Sequence, residues 1–79
     1  MFEYNIDTEN NPQKALQACK VIEKAFPNAK QKPLLEDVHG STIQTYVIDG
    51  KEVDVYDDYW IGAVYVKSEF NLDNLFKPF

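Results

Sequence analysis

The chain has 79 residues, 44% of them hydrophobic and 14% aromatic, with a formal net charge of −5. That is one small folded domain, too short for a large core and too apolar to stay disordered. Eight lysines and no arginine, against thirteen carboxylates, argue against a direct reader of nucleic acid, which relies on arginine for bidentate contacts. No apolar run approaches the ~18 residues of a membrane span, and the acidic start MFEYNIDTE does not read as a secretory signal. Cys19 is the sole cysteine, so no intrachain disulfide forms, and a reducing, cytoplasmic setting is expected.

Charge is unevenly placed. Residues 13–33 hold five Lys and one Glu, whereas residues 34–79 hold three Lys and nine acids. The helical part is therefore expected to be basic and the sheet acidic.

Taken in order, Phe2, Tyr4 and Ile6 alternate with Glu3, Asn5 and Asp7, the pattern of a half-buried strand, placed at a sheet edge. Asn11 is the expected N-cap of a helix from about Pro12 to about Phe26, with Pro12 at the first helical position. Ala15, Ala18, Cys19, Ile22, Ala25 and Phe26 share one face, and Lys14, Gln17, Lys20 and Lys24 the opposite one. Pro27 ends the helix. Residues 28–33 read as a polar connector, and residues 34–38 as a short strand or an irregular cover.

Residues 41–70 carry four of the five tyrosines and the only tryptophan, and read as a meander of three antiparallel strands. Asp49-Gly50 marks its first turn. A three-residue loop, Ile48-Asp49-Gly50, in a type I turn with a Gly bulge, would place Ile43, Thr45, Val47, Val53 and Val55 on one face. The second turn is expected at Asp57-Asp58 or slightly longer. Trp60, Gly62, Val64 and Val66 then join the apolar face. Leu72, Leu75 and Phe76 have the spacing of a short C-terminal helical turn. The expected fold is α+β: an N-terminal strand plus the meander, one amphipathic helix across one face, and that final turn, in a single domain over residues 1–79.

No catalytic set, metal site or cofactor is expected. Cys19 lies on the helix core stripe and lacks an activating base. His39, beside Glu36 and Asp37, reads as a turn histidine. The acids near the second turn lack a calcium-loop pattern, and no glycine-rich phosphate loop is present. The five lysines of residues 13–33 read as a solvated helix face.

The register above would leave tyrosines interleaved with carboxylates on the outer face. Tyr46, Glu52, Asp54, Tyr56, Asp57, Asp58 and Tyr65 are the candidate partner-binding residues. The expected partner is a protein with a basic surface, such as a nucleic-acid-handling complex. The expected role is a small acidic inhibitor, similar in size and charge, with no shared motif, to phage-encoded anti-CRISPR and anti-restriction proteins. The alternative is a homodimer or other homo-oligomer formed through the sheet edge or the tyrosine face, in an accessory role without catalysis. A small enzyme is the least supported class, because the chain has little room for a deep pocket.

Overall fold

The computed structural model describes residues 1–76. The fold is α+β. The chain runs β1 (Phe2–Asp7), α1 (Pro12–Ala25), β2 (Lys30–Gln31), β3 (Leu35–Glu36), β4 (Thr42–Ile48), β5 (Lys51–Asp58) and β6 (Ala63–Ser68). The strands form one sheet in the order β1-β6-β5-β4-β2, with β3 also on β4, and every pairing is antiparallel.

The N-terminal strand is at an edge, as expected. Its partner is β6, with Tyr4 opposite Val66, and Ile6 is bulged out between Asn5 and Asp7. The other edge is split. Residues 28–33, read above as a connector, supply β2, and Lys32 N–H extends that ladder to the Thr45 carbonyl at 2.9 Å. Pro33 donates no hydrogen bond, and pairing resumes at Leu35 opposite Ile43. Two-residue ladders interrupted by proline carry little periodicity, which is why the sequence pattern did not mark β2; β3 falls in residues 34–38, where a short strand was one of the two readings.

The helix starts as predicted. Asn11 is extended (φ −153°) and its side-chain oxygen accepts from the N–H groups of Gln13 and Lys14, at 3.1 and 3.3 Å. Ala15, Ala18, Cys19 and Ile22 are buried against the sheet, and these mostly small side chains let the helix sit close to it. Ala25, the last residue of the helix, is exposed.

The first hairpin differs from the predicted one. The loop has two residues: Ile48 pairs with Lys51, Tyr46 with Val53 and Gln44 with Val55. Asp49 (φ 53°) and Gly50 (φ 79°) are both left-handed, as a type I′ turn requires. Aspartate tolerates that region better than most residues, so the bulged turn is not needed. Val53 and Val55 face the core as predicted, but β4 is turned over: Gln44, Tyr46 and Ile48 point inward, and Ile43, Thr45 and Val47 outward.

Weighing aliphatic against polar residues misjudged this strand, because its inward polar groups are satisfied. The Tyr46 hydroxyl donates to the Glu23 carboxylate, and the Gln44 amide donates to the Lys32 carbonyl at 2.6 Å. A buried polar group costs little once hydrogen-bonded.

The second turn is a four-residue loop, Tyr59 to Gly62, between Asp58 and Ala63. Val64 and Val66 face the core as expected; Trp60 and Gly62 do not, and the Trp60 side chain is exposed. The core joins Tyr4, Ile22, Tyr46, Val53, Val55, Val64 and Val66.

Leu72 and Phe76 close it from below. Their segment makes one helical turn, with Leu75 and Phe76 N–H on the Leu72 carbonyl at 2.9 and 3.0 Å. Tyr4 holds that turn in place. Its hydroxyl accepts from Leu72 N–H at 2.7 Å and donates to Asp73 at 2.8 Å.

Candidate functional site

Five of the seven predicted contact residues stand together. Glu52, Asp54, Tyr56 and Asp58 alternate along β5 on the sheet face away from the helix, and Tyr65 joins them from β6. No described element covers this outer face.

At its centre Tyr56 and Tyr65 are cross-strand partners with stacked rings, centroids 4.7 Å apart and planes 11° from parallel. Cross-strand aromatic pairs of this kind stabilise a sheet and present a flat apolar surface. The Lys67 ammonium lies over both rings, 5.5 and 5.7 Å from their centroids. Ile43, Val47 and Ala63, all half-buried, extend the apolar part of the face.

The carboxylates surround this stack. Asp54 accepts from the Thr45 hydroxyl at 2.7 Å, and Asp58 from the Tyr65 hydroxyl at 3.0 Å. Desolvation, then the Asp58 carboxylate, push the Tyr65 phenol well above its ordinary value. Desolvation and the charge of Asp54 raise Tyr56, against the pull of Lys67. Both phenols therefore stay neutral and keep their hydroxyl proton for donation.

The face is less acidic than the sequence suggested. Lys67 reaches Glu3 at 3.6 Å, and Lys32 reaches Glu52 at 2.8 Å. Asp54 and Asp58 are the carboxylates held by hydroxyls instead of lysines.

Tyr46 and Asp57 belong elsewhere. Tyr46 is 1% exposed beneath the helix, and burial, then the bond to Glu23, raise its phenol far above the ordinary range. Asp57 is also 1% exposed; its Oδ1 accepts from Asn11 N–H and from the Asn10 amide, both at 2.9 Å. It fixes the β1–α1 loop and places a negative charge at the helix N-terminus, a favourable position. Both residues are structural and are removed from the contact set.

Cys19 is buried, and desolvation raises its thiol, the opposite of what a nucleophile needs. His39 stacks on Tyr59, centroids 5.5 Å apart, and meets Trp60 edge-on at 4.4 Å. Among the described residues no cluster of three His, Cys, Asp or Glu is placed to hold a metal ion.

Sequence reasoning missed the loop ends. Val38, Tyr59, Trp60 and Ile61 are exposed at one end of the sheet. Asp58 immediately before a four-residue segment closed by Gly62 was the available signal for a turn there.

No family model, curated protein or solved structure matches the chain.

Proposed function

We propose that this chain is a protein-binding module whose outer sheet face docks on a basic protein surface. The observation that carries the reading is the Tyr56–Tyr65 stack, uncovered by any described element and bordered by Asp54 and Asp58. Stacked tyrosines give rigid apolar area with a polar tip, and ordering them on binding costs little entropy. The bordering carboxylates supply charge that selects a basic partner and speeds encounter.

A nucleic-acid-handling protein is the partner class with the most extensive basic surface, and occupying that surface would inhibit it. The inhibitor role, of the anti-CRISPR or anti-restriction kind, follows only from that partner class. Lys67 and Lys32 temper the charge, so the face works as an apolar patch with acidic edges, not as a row of phosphates.

The test is association with a panel of purified basic DNA-binding proteins, followed by light scattering against salt. Complexes that weaken as salt rises, and that charge reversal at Glu52 and Asp54 weakens further, are expected. Complexes indifferent to both salt and reversal would overturn the reading.

A further inference from the structure

The loops of residues 37–41 and 59–62 meet at one end of the sheet and turn large apolar groups to solvent. Trp60 is 67% exposed, Ile61 70% and Val38 96%. These side chains are exposed on a fixed backbone. Asp58 Oδ1 accepts from Trp60 and Ile61 N–H at 2.9 and 3.1 Å, and Tyr59 N–H donates to Ser41 Oγ at 2.8 Å. The Trp60 indole N–H reaches Asp37 at 3.2 Å, across to the other loop.

Exposed tryptophan on a pinned loop has lost its conformational freedom at folding, so binding need not impose that cost again. Tryptophan and tyrosine dominate the energetic centres of interfaces, and contiguous exposed apolar groups mark contact sites.

Charge narrows the partner. Residues 33–50 and 52–66 contain no lysine or arginine, whereas Asp37 and Asp58 sit inside the cluster. The cluster is also continuous with the outer face. Asp58 binds the loop through Oδ1 and the Tyr65 hydroxyl through Oδ2, and Ile61 lines a shallow groove of about 240 Å³ with Ala63, Tyr65 and Lys67.

We infer that Trp60 and Ile61 are the apolar anchor of the contact made by the outer face, seated in an apolar patch flanked by lysine or arginine on a protein partner. This rests on the outer-face reading and adds a part of the contact that salt does not screen. Anionic lipid is disfavoured by the carboxylates and the net charge of −5.

Trp60 is the only tryptophan, so its emission reports on the anchor directly. The probes are a helical Leu/Lys peptide with one apolar stripe, a Lys/Ser peptide of equal charge, and vesicles of phosphatidylcholine with phosphatidylglycerol. A saturable blue shift with the Leu/Lys peptide alone is expected. Ile61→Ser, at an exposed position, should weaken that binding about tenfold, roughly the effect of losing an interface anchor. No shift with the Leu/Lys peptide, or an equal shift with the Lys/Ser peptide or the vesicles, would overturn the inference. If Asp54→Lys weakens Leu/Lys binding while Ile61→Ser does not, the anchor fails and the outer face stands. If Ile61→Ser weakens it while Asp54→Lys does not, the outer-face reading fails instead.

Discussion

Tyr46 stands opposite Val53 beneath the helix, and that pairing sets which way every side chain of β4 points. It follows from the two left-handed residues of the hairpin, Asp49 and Gly50. A β-carbon at Gly50 meets nothing within 4 Å, so its constraint is purely conformational. Gly50→Ala should therefore cost about 1–2 kcal/mol, the ordinary penalty of an L-residue in that region. Asp49→Gly should be tolerated. Urea midpoints of the two variants check both; a neutral Gly50→Ala would mean that the loop does not hold this geometry.

Tyr4 links the first strand to the last turn. Removing its hydroxyl leaves the Leu72 N–H without its partner and frees Asp73. Tyr4→Phe should destabilise by about 1–3 kcal/mol. Proteolysis after residue 70 should also become easier, because the turn is tied down at that point. Urea denaturation and limited proteolysis measure the two effects.

Asp57 is predicted to matter for folding instead of binding. Asp57→Ala strands the Asn11 N–H and the Asn10 amide at the start of the helix, and should cost about 2–3 kcal/mol, as expected for hydrogen bonds to a charged group. Helix content by circular dichroism should melt at lower urea. Charge reversal at this position therefore cannot test docking.

The phenols predict an alkaline limit. Burial is the leading cause of the raised values of Tyr4, Tyr46 and Tyr65. An unfolded tyrosine releases its proton near pH ~10. Above that pH the unfolded chain binds fewer protons than the folded one, so stability falls as pH rises. Below about pH 9 these groups should leave stability unchanged. Urea midpoints across this range, with tyrosinate absorbance as a second readout, check the sign; Tyr65→Phe should flatten the slope.

The legible part of the fold was the part governed by simple periodicity. Asn11-Pro12 announced the helix start, and Val53, Val55, Val64 and Val66 alternate cleanly into the core. What escaped depended on partners distant in sequence. Tyr46 is inward because Glu23 receives its hydroxyl, and Asp57 because the Asn10 and Asn11 amides lie against it. Trp60 escaped for the opposite reason: size and apolarity suggested burial, but a four-residue loop carries it outward. The Tyr56–Tyr65 pair was recoverable because both residues alternate with buried valines on adjacent strands.

The most direct test of the docking face is the affinity of the Glu52→Lys/Asp54→Lys double variant for a basic DNA-binding protein that the unmodified chain binds. Both side chains lie on the outer face, clear of the core. The account predicts binding weakened at least about tenfold at moderate salt, and a shallower salt dependence, with unchanged circular dichroism. Equal affinity and an equal salt slope in a folded double variant would contradict it.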